Sequence, residues 1–580
     1  MIERGYMWRV ALVSVIVLAA WGVLVVRLGQ LHFGDNAGLR ERIRIMHSIK
    51  QDIRVGRGRI LDRNGNLLAL DLTLQNIVVS PNVIATNHAA QAVSARLATV
   101  LGLPYAQVFE RVNRPWRKYE MIQPKVKDAV AERVAELKLP GVWYESVSTR
   151  HYPQNELACH VVGFVNYEDV GSGGIEQRWD QLLKGRAGMR LSEKDGNKRE
   201  IYTRRSLEVT PKEGANIHLT IDQNVQYFTE RALEAALTNF HPEAAWAIVQ
   251  EVRTGAILAM ASRPAYDPNE FNKSAAQARM NRPVSYNFEP GSVFKIGVVA
   301  AAINEGVVAT NDLFDCEKGM WHYAGRPLRD FHAYDTLDVT GILRKSSNIG
   351  AAKIAVLLGE PRLYRYLQDY GLGQRTGIEV PGEEAGILNP LKSWAKIDIT
   401  RIAMGHSVAV TALQMLGIMS CIGNDGFRMR PYVVQKVVDK DGVVLQETKP
   451  EALARPITER TAALMRQMLM EVTTREGTGA KAAVPGYTVA GKTGTAEKID
   501  ASGHYVRNAN ISSFVGMIPA ERPEVAIIVV LDNPQPIRTG GQTAAPVFRD
   551  IAEPVIRYLD LGPVGESEQV YYQRILAGEP

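Results

Sequence analysis

The sequence predicts an α+β protein held to a membrane by a single N-terminal helix. Three observations predict it. Val10 to Val26 is a run of 17 uncharged residues, strand-like apolar runs stand at both ends of a long C-terminal region, and helical periodicity fills the space between them. At 580 residues the chain is also too long for one core, so two or three domains are expected.

The uncharged run, "VALVSVIVLAAWGVLVV", lies between Arg9 and Arg27. At about 1.5 Å per residue it covers roughly 25 Å, and the flanking arginines can snorkel to complete a span of about 30 Å. It exceeds the apolar core of a signal peptide, about 7 to 15 residues, and lacks a small-x-small exit. The reading is therefore a short tail over 1–9 and a retained anchor over 10–31. Arg27 to Arg57 carries seven basic and three acidic residues, against two and one in the first nine, so the positive-inside bias does not by itself put the large domain outside.

Composition narrows the function classes. Apolar residues make up 46% and charged residues 22%, as in ordinary globular protein. The net charge of +6 arises from 68 basic and 62 acidic residues spread along the chain, with no long basic run interleaved with aromatics, so nucleic acid is not an expected partner. Eleven histidines lack ligand spacing, and Cys159, Cys316 and Cys421 stand far apart with no C-x-x-C pair. No metal, cofactor or disulfide framework is expected.

After the anchor, an Asn64-Gly65 turn leads into alternating β-branched residues. Helical periodicity follows at Ala89 to Leu101 and at Lys127 to Leu137, the latter closed by Pro140-Gly141. Asp169 to Gly214 is rich in Gly, Lys, Arg and Glu and reads as exposed loops or an extended arm. A new regime starts near Ala244, where "AAWAIVQEVRTGAILAMAS" reads as a hairpin turning at Arg253-Thr254-Gly255. Later come strand-like "GYTVAGKTGTAEK" and "PEVAIIVVLDNP", then an amphipathic helix from Ala545 to Leu559. Strands at both ends with helices between them predict an antiparallel sheet covered by helices. The domain reading is 32–240 for a mixed, mostly polar first domain, 241–562 for the second, and 563–580 for a tail.

The chemistry starts at "NFEPGSVFKIGVVAAAI". Ser292 and Lys295 lie three apart at a helix start, and the residues that follow are apolar around the whole circumference, so the helix is buried. Burial lowers a lysine's pKa and makes it a base near neutral pH, able to activate a hydroxyl one turn away. The competing reading is a capping serine with a lysine snorkelling to the surface. A second S-x-x-K, Ser393 to Lys396, sits among charged residues after Pro390 and reads as solvated surface. Ser346-Ser347-Asn348 opens another helical run, where capping is the ordinary meaning. Lys492-Thr493-Gly494-Thr495 lies on a late strand, where a glycine admits close approach of another backbone. Arg-Thr-Gly triplets at 253, 375 and 538 show that K/R-T-G alone is not diagnostic.

The ordered set S-x-x-K, S-x-N, K-T-G is the signature of penicillin-binding proteins and related β-lactamases. The chain resembles a class B penicillin-binding protein from the anchor almost to the C-terminus. "RGRILDRNG", "RHYPQNELACHVVGFV", "GGIEQRWDQLLKGRAG" and "LTID" resemble that family's non-catalytic, elongated pedestal, and "EPGSVFK", "SSNIG", "TALQ", "GKTGTAEK", "FVGMIP" and "GGQTAAPVF" resemble its transpeptidase domain. The resemblance implies a β-rich pedestal, a transpeptidase domain with an all-helical subdomain, and a serine D,D-transpeptidase acting on D-alanyl-D-alanine stem peptides and acylated by β-lactams. It implies Ser292 as nucleophile and Lys295 as base. Ser346 would be the proton relay, and Asn348 would hold Lys295 and the substrate. Lys492, Thr493 and Thr495 would meet the substrate carboxylate, and Lys492's positive charge would lower Lys295 further. Gly494 belongs to the same substrate-binding strand, and the N–H groups of Ser292 and Thr495 would form the oxyanion hole. It also implies a domain outside the cytoplasmic membrane and a multi-pass glycan polymerase of the SEDS class as partner.

Asn348 and the Lys-Thr-Gly-Thr form resemble division-type members, penicillin-binding protein 3, although "GHSVAV" departs from the glycine-rich form expected there and elongation or sporulation duty stays open. A β-lactamase would need a deacylating carboxylate; "EEAGILN" places Glu384 four residues before Leu388, where the lactamase loop has three. A non-enzymatic scaffold is opposed by the intact polar set.

Overall fold

The computed structural model describes residues 2–33, 38, 48–53, 55–194, 200–499 and 504–562, so the expected tail at 563–580 lies outside the described residues. The chain divides into two compact units, Met1–Val55 with Gly185–Glu213, and Gly56–Lys184 with Gly214–Pro580. In the first, Ile2–Phe33 is one helix, and Tyr6–Phe33 is long and apolar enough to cross a membrane, with its large apolar side chains exposed. The same unit holds a three-stranded antiparallel sheet of Ser48–Ile53, Gly188–Lys194 and Glu200–Val209, with Gly188–Lys194 in the middle.

That sheet corrects the loop part of the reading of 169–214 as exposed loops or an extended arm. Residues 188–194 and 200–209 are paired strands, and in the second unit Gly174–Arg178 and Asp180–Lys184 are short helices that bury Ile175, Glu176 and Leu183. The charge content misleads because charged side chains are expected to face solvent, whereas here they are paired. Glu176 is 0% exposed and accepts from Arg57 Nε at 2.7 Å and Arg150 Nε at 2.6 Å. Arg150 also reaches Asp71 at 3.1 Å, and Arg57 reaches Asp180 at 2.7 Å. Three segments far apart in the chain are thus joined at one carboxylate.

In the second unit the pedestal is built on β1 (Leu67–Val79), flanked by β2 (Glu120–Val126) and β3 (Val142–His151), both antiparallel to it. The turn before β1 puts Gly65 at φ +88°, as the Asn-Gly signal requires. Helices Ala90–Leu101, Tyr105–Val112 and Asp128–Glu136 pack Val93, Leu97, Val108, Val112 and Val134 against Ile77, Val79 and Ile122. Strands Val434–Val438 and Val444–Glu447, distant in sequence, extend the same sheet through Asn216–Leu219; their spacing carries no such signal.

The C-terminal region is a five-stranded sheet between helices. Helix α1 (Gln223–Phe240) leads into β4 (Ala244–Glu251) and β5 (Ile257–Arg263), the hairpin the sequence predicts. Then come helices α2 (Lys295–Asn304), α3 (Val339–Lys345), α4 (Asn348–Leu358) and α5 (Ala412–Gly423), strands β6 (Ala490–Ile499), β7 (Tyr505–Ile518) and β8 (Val525–Asp532), and helix α6 (Ala544–Tyr558). The strand order is β5-β4-β8-β7-β6, antiparallel throughout. Ala245, Ala247 and Val249 face α1 and α6, while Trp246 and Ile248 face the core that contains α2 and α5. Both faces are covered, which is why these strands read as continuous apolar runs instead of alternating ones.

Candidate active site

Ser292 sits in a 3-10 turn, Gly291–Phe294, that runs directly into α2. Two glycines allow this turn to lie on β6. A Cβ on Gly494 would stand 2.3 Å from Ser513 Oγ and 2.9 Å from Val293 Cγ1, and one on Gly291, at φ +57°, would stand 2.8 Å from Thr495 O. The glycine inside the K-T-G strand therefore does what its position suggests: it admits the backbone of the turn that carries Ser292, Pro290 O lying 3.0 Å from where a Cβ would stand.

Lys295, on the first turn of α2, is 0% exposed, which overturns the snorkelling alternative. Its Nζ donates to Ser346 O at 2.6 Å and Asn348 Oδ1 at 2.7 Å and lies 3.4 Å from Ser346 Oγ. The expected Lys295–Ser292 hydrogen bond is not made: Ser292 Oγ, on a half-buried residue, takes no partner among the described residues. A carbonyl and a carboxamide oxygen, both stronger acceptors than a hydroxyl, take the amine's hydrogen bonds instead.

Lys492, also 0% exposed, donates to Ser346 Oγ at 2.9 Å and to Thr493 O at 3.0 Å. Two buried amines thus converge on one hydroxyl. Burial brings Lys295 down to about 7, with the Asp330 carboxylate opposing the shift. Lys492 is pushed well below its ordinary value by burial and by the charge of Lys295. Two amines sharing one hydroxyl share one repulsion, so the second proton is bound more weakly than the first.

The local folding of the S-x-N segment explains why Ser346 is free for this. Ser347, not Ser346, caps α4, its Oγ accepting from Gly350 N at 3.0 Å. Ser346 stands between two helices at φ +61°, which turns its hydroxyl toward the lysines. Asp330, which sequence reading misses, accepts from Ser347 Oγ at 2.7 Å, from Ile349 N at 3.1 Å and from Asn348 N. It lies where the N-terminus of α4 favours a negative charge. Asn348 Nδ2 donates to Arg329 O at 2.9 Å, which fixes its oxygen toward Lys295. No local pattern around Asp330 distinguishes it from an ordinary loop acid.

On β6, Thr493 is buried and its Oγ1 donates to Thr478 Oγ1 at 2.9 Å, while Thr495, half-buried, accepts from Gly540 N at 3.1 Å. Ahead of Ser292, Glu289 is buried and gathers His406 Nδ1 at 2.8 Å, Ser407 N at 2.9 Å and Tyr505 OH at 3.1 Å. The atypical "GHSVAV" segment is accommodated here: Ser407 takes the left-handed conformation at φ +58°, where a glycine would be easier, and its N–H is satisfied by a carboxylate. A Cβ on Gly405 would lie 2.2 Å from Gly291 O, so this segment packs on the turn that carries Ser292.

The residues weighed as alternatives fall elsewhere. Ser393 and Lys396 are exposed, as expected of surface. Glu383 is tied to Thr376 N at 2.6 Å and Gly377 N at 3.1 Å, Glu384 is exposed, and neither enters the Ser346 network.

The chain is similar to known proteins over most of its length. The chain matches the penicillin binding protein transpeptidase domain over residues 245–553 and the penicillin-binding protein dimerisation domain over residues 52–219. It is 32% identical over 573 residues to the peptidoglycan D,D-transpeptidase FtsI of Escherichia coli, covering 96% of this chain and 92% of that protein. It is also 32% identical over 561 residues to the stage V sporulation protein D of Bacillus subtilis, covering 95% and 86%. Among solved structures, penicillin binding protein 3 of Mycobacterium tuberculosis complexed with aztreonam superposes with a TM-score of 0.70 at 28% identity, covering 89% of this chain and 98% of that one.

Proposed function

This chain belongs to the class B penicillin-binding proteins, and on that premise we propose that it is a membrane-anchored peptidoglycan D,D-transpeptidase working through an acyl-enzyme on Ser292. The observation that carries the reading is the convergence of Lys295 and Lys492 on Ser346 Oγ, beside the turn that presents Ser292.

Ser292 Oγ attacks the penultimate D-alanine carbonyl of a stem peptide and gives its proton to neutral Lys295. The oxyanion is met by the N–H groups of Ser292 and Thr495, a contribution of roughly 3 to 4 kcal/mol per donor. The C–N bond to the terminal D-alanine breaks, and its nitrogen takes a proton passed through Ser346 from the lysine pair. An amine of a second stem then attacks the ester, forming the cross-link, and its proton returns through the same pair as Ser292 Oγ leaves. Thr493 and Thr495 hold the substrate carboxylate, and Asn348 orients Lys295 and the stem's amide. A β-lactam enters the same first step. The lactam ring opens without a leaving amine to depart, and the adduct persists because neither carboxylate of Glu383-Glu384 joins the network.

The apolar helix Tyr6–Phe33 supports a single-pass anchor with its N-terminus in the cytoplasm and the enzyme outside, where peptidoglycan lies. The family's partner, a SEDS-class glycan polymerase, would meet the anchor and pedestal. Likeness to FtsI and the Asn348 and Lys-Thr-Gly-Thr forms favour septal duty, whereas equal identity to a sporulation protein keeps that duty as a second reading. The mechanism is tested by mass mapping of a penicilloyl adduct on the purified chain: it is expected on Ser292, decaying over many minutes. An adduct elsewhere, or turnover within seconds, overturns the reading. A fluorescent fusion at the septum supports the division role, and one confined to the side wall or to the forespore sinks it.

A further inference from the structure

The pedestal carries a built surface that the catalytic reading leaves unused. Between helix Tyr105–Val112 and the start of β2 lies an open cavity of about 520 Å3, lined by Glu110, Arg111, Arg114, Arg117, Tyr119 and Glu120 among others. Its guanidinium forks are held in place. Arg114 reaches Glu110 and Glu120, each at 2.8 Å, Arg117 reaches Glu120 at 3.3 Å, and Arg111 donates to the carbonyls of Met121 and Ile122, each at 2.9 Å. At the rim, Tyr119 (46% exposed) meets Trp143 of β3 (37% exposed) edge to face, with centroids 6.2 Å apart. One carboxylate fixes both rings: Glu145 accepts from Trp143 Nε1 at 2.9 Å and from Tyr119 OH at 3.1 Å. Trp116, in the loop that carries Arg114 and Arg117, is 76% exposed.

Exposed aromatics scattered singly need no explanation, but rings immobilised in water by a shared carboxylate beside a polar cavity do. With their polar handles occupied by Glu145, what these rings leave exposed to a ligand is apolar ring surface. A pyranose ring matches such a site: its axial C–H groups make an apolar face that lies on an aromatic plane, while its equatorial hydroxyl and acetamido groups need fixed donors and acceptors beside that plane. Trp, Tyr and Arg also make up hot spots for protein partners. A recessed cavity lined by paired forks suits a narrow, hydroxyl-rich chain better than a flat protein face.

We propose that this corner of the pedestal binds the glycan strand of peptidoglycan, Tyr119 and Trp143 stacking on an N-acetylated sugar while the cavity's arginine and glutamate groups hydrogen-bond its substituents. The inference rests on peptidoglycan being the substrate. On this reading the pedestal holds the strand whose stem peptide is being processed.

The test uses the full chain in detergent and glycan strands stripped of stem peptides by an amidase, with the catalytic cleft first blocked by penicillin. Calorimetry is expected to show saturable binding. Trp143→Ala and Tyr119→Ala should each weaken it at least tenfold, and Glu145→Gln, which keeps both rings but frees them, should weaken it severalfold. Far-ultraviolet circular dichroism and thermal melting check that each variant folds; if an alanine variant does not, Glu145→Gln and Trp116→Ala carry the test. Strands that do not bind, or bind all variants like the parent, overturn the inference. So does a photo-crosslinker at position 116 that captures a protein while the strands bind nothing. Penicillin acylation of the parent chain is read separately: its success with no strand binding sinks this inference alone, and its failure sinks the catalytic reading while the strand titration still decides this one.

Discussion

Two buried polar clusters in this molecule use similar side chains toward opposite ends. In the pedestal, Glu176 is enclosed by Arg57 and Arg150, which reach on to Asp180 and Asp71, so every buried charge meets one of opposite sign. In the transpeptidase region, Lys295 and Lys492 are equally buried, carry the same sign and share one hydroxyl, with Asp330 one residue removed. The first cluster is satisfied and joins segments. The second is held in a state that water would relieve, which is how a lysine becomes a base near neutral pH. Charge compensation, more than burial, separates a structural cluster from a reactive one.

The comparison is broken most directly at the nucleophile. Ser292→Ala should lower transpeptidation by about 10^6 and abolish the penicilloyl adduct, with unchanged thermal melting; a persisting adduct would move the chemistry elsewhere. Lys295→Met should cost acylation about 10^3-fold or more while leaving melting equal or higher, because an uncompensated amine is removed. Glu176→Gln should do the reverse. It leaves two buried guanidinium groups short of a counter-charge and destabilises by about 3 to 5 kcal/mol in denaturant unfolding. If the lysine variant unfolds and the glutamate variant does not, the contrast between the clusters is wrong.

Protonation sharpens the contrast further. Acylation should rise with pH through about 7, as Lys295 loses its proton, and level off above. Asp330 favours the charged amine, so Asp330→Asn should move that midpoint toward acid, read in the pH profile of penicillin acylation. The same burial makes stability rise with pH: from about 7 up to the lysine's ordinary 10.5 the unfolded chain binds the extra proton, and below 7 the full penalty of the buried charge is present. The smallest effect belongs to Tyr505→Phe. It removes one of three donors to Glu289 and should cost about 1 kcal/mol, seen as a severalfold slower acylation; no change would separate Glu289 from the nucleophile's positioning.

Much of this was legible in one dimension. The apolar run, the Asn-Gly turn before β1 and the hairpin of β4 and β5 are local signals, because turn chemistry and periodicity act between neighbours in the chain. Strand β7, whose polar first half masks it, was not read as a strand, and neither were the strands at 434–438 and 444–447 that extend the pedestal sheet, since their partner at 216–219 is some 200 residues away.

The site divides in the same way. Ser292, Lys295, Ser346, Asn348 and the Lys492–Thr495 strand were readable as ordered motifs, since the spacing of each is local and helix or strand geometry converts it into a shared face. The burial of Lys295 was readable too, from the apolar circumference of its helix, but the convergence on Ser346 Oγ, the counter-charge at Asp330 and the Glu289 clamp came from folding alone. Desolvation and Coulomb interactions depend on distance through space, and residue order along a chain does not encode that distance until the chain has packed.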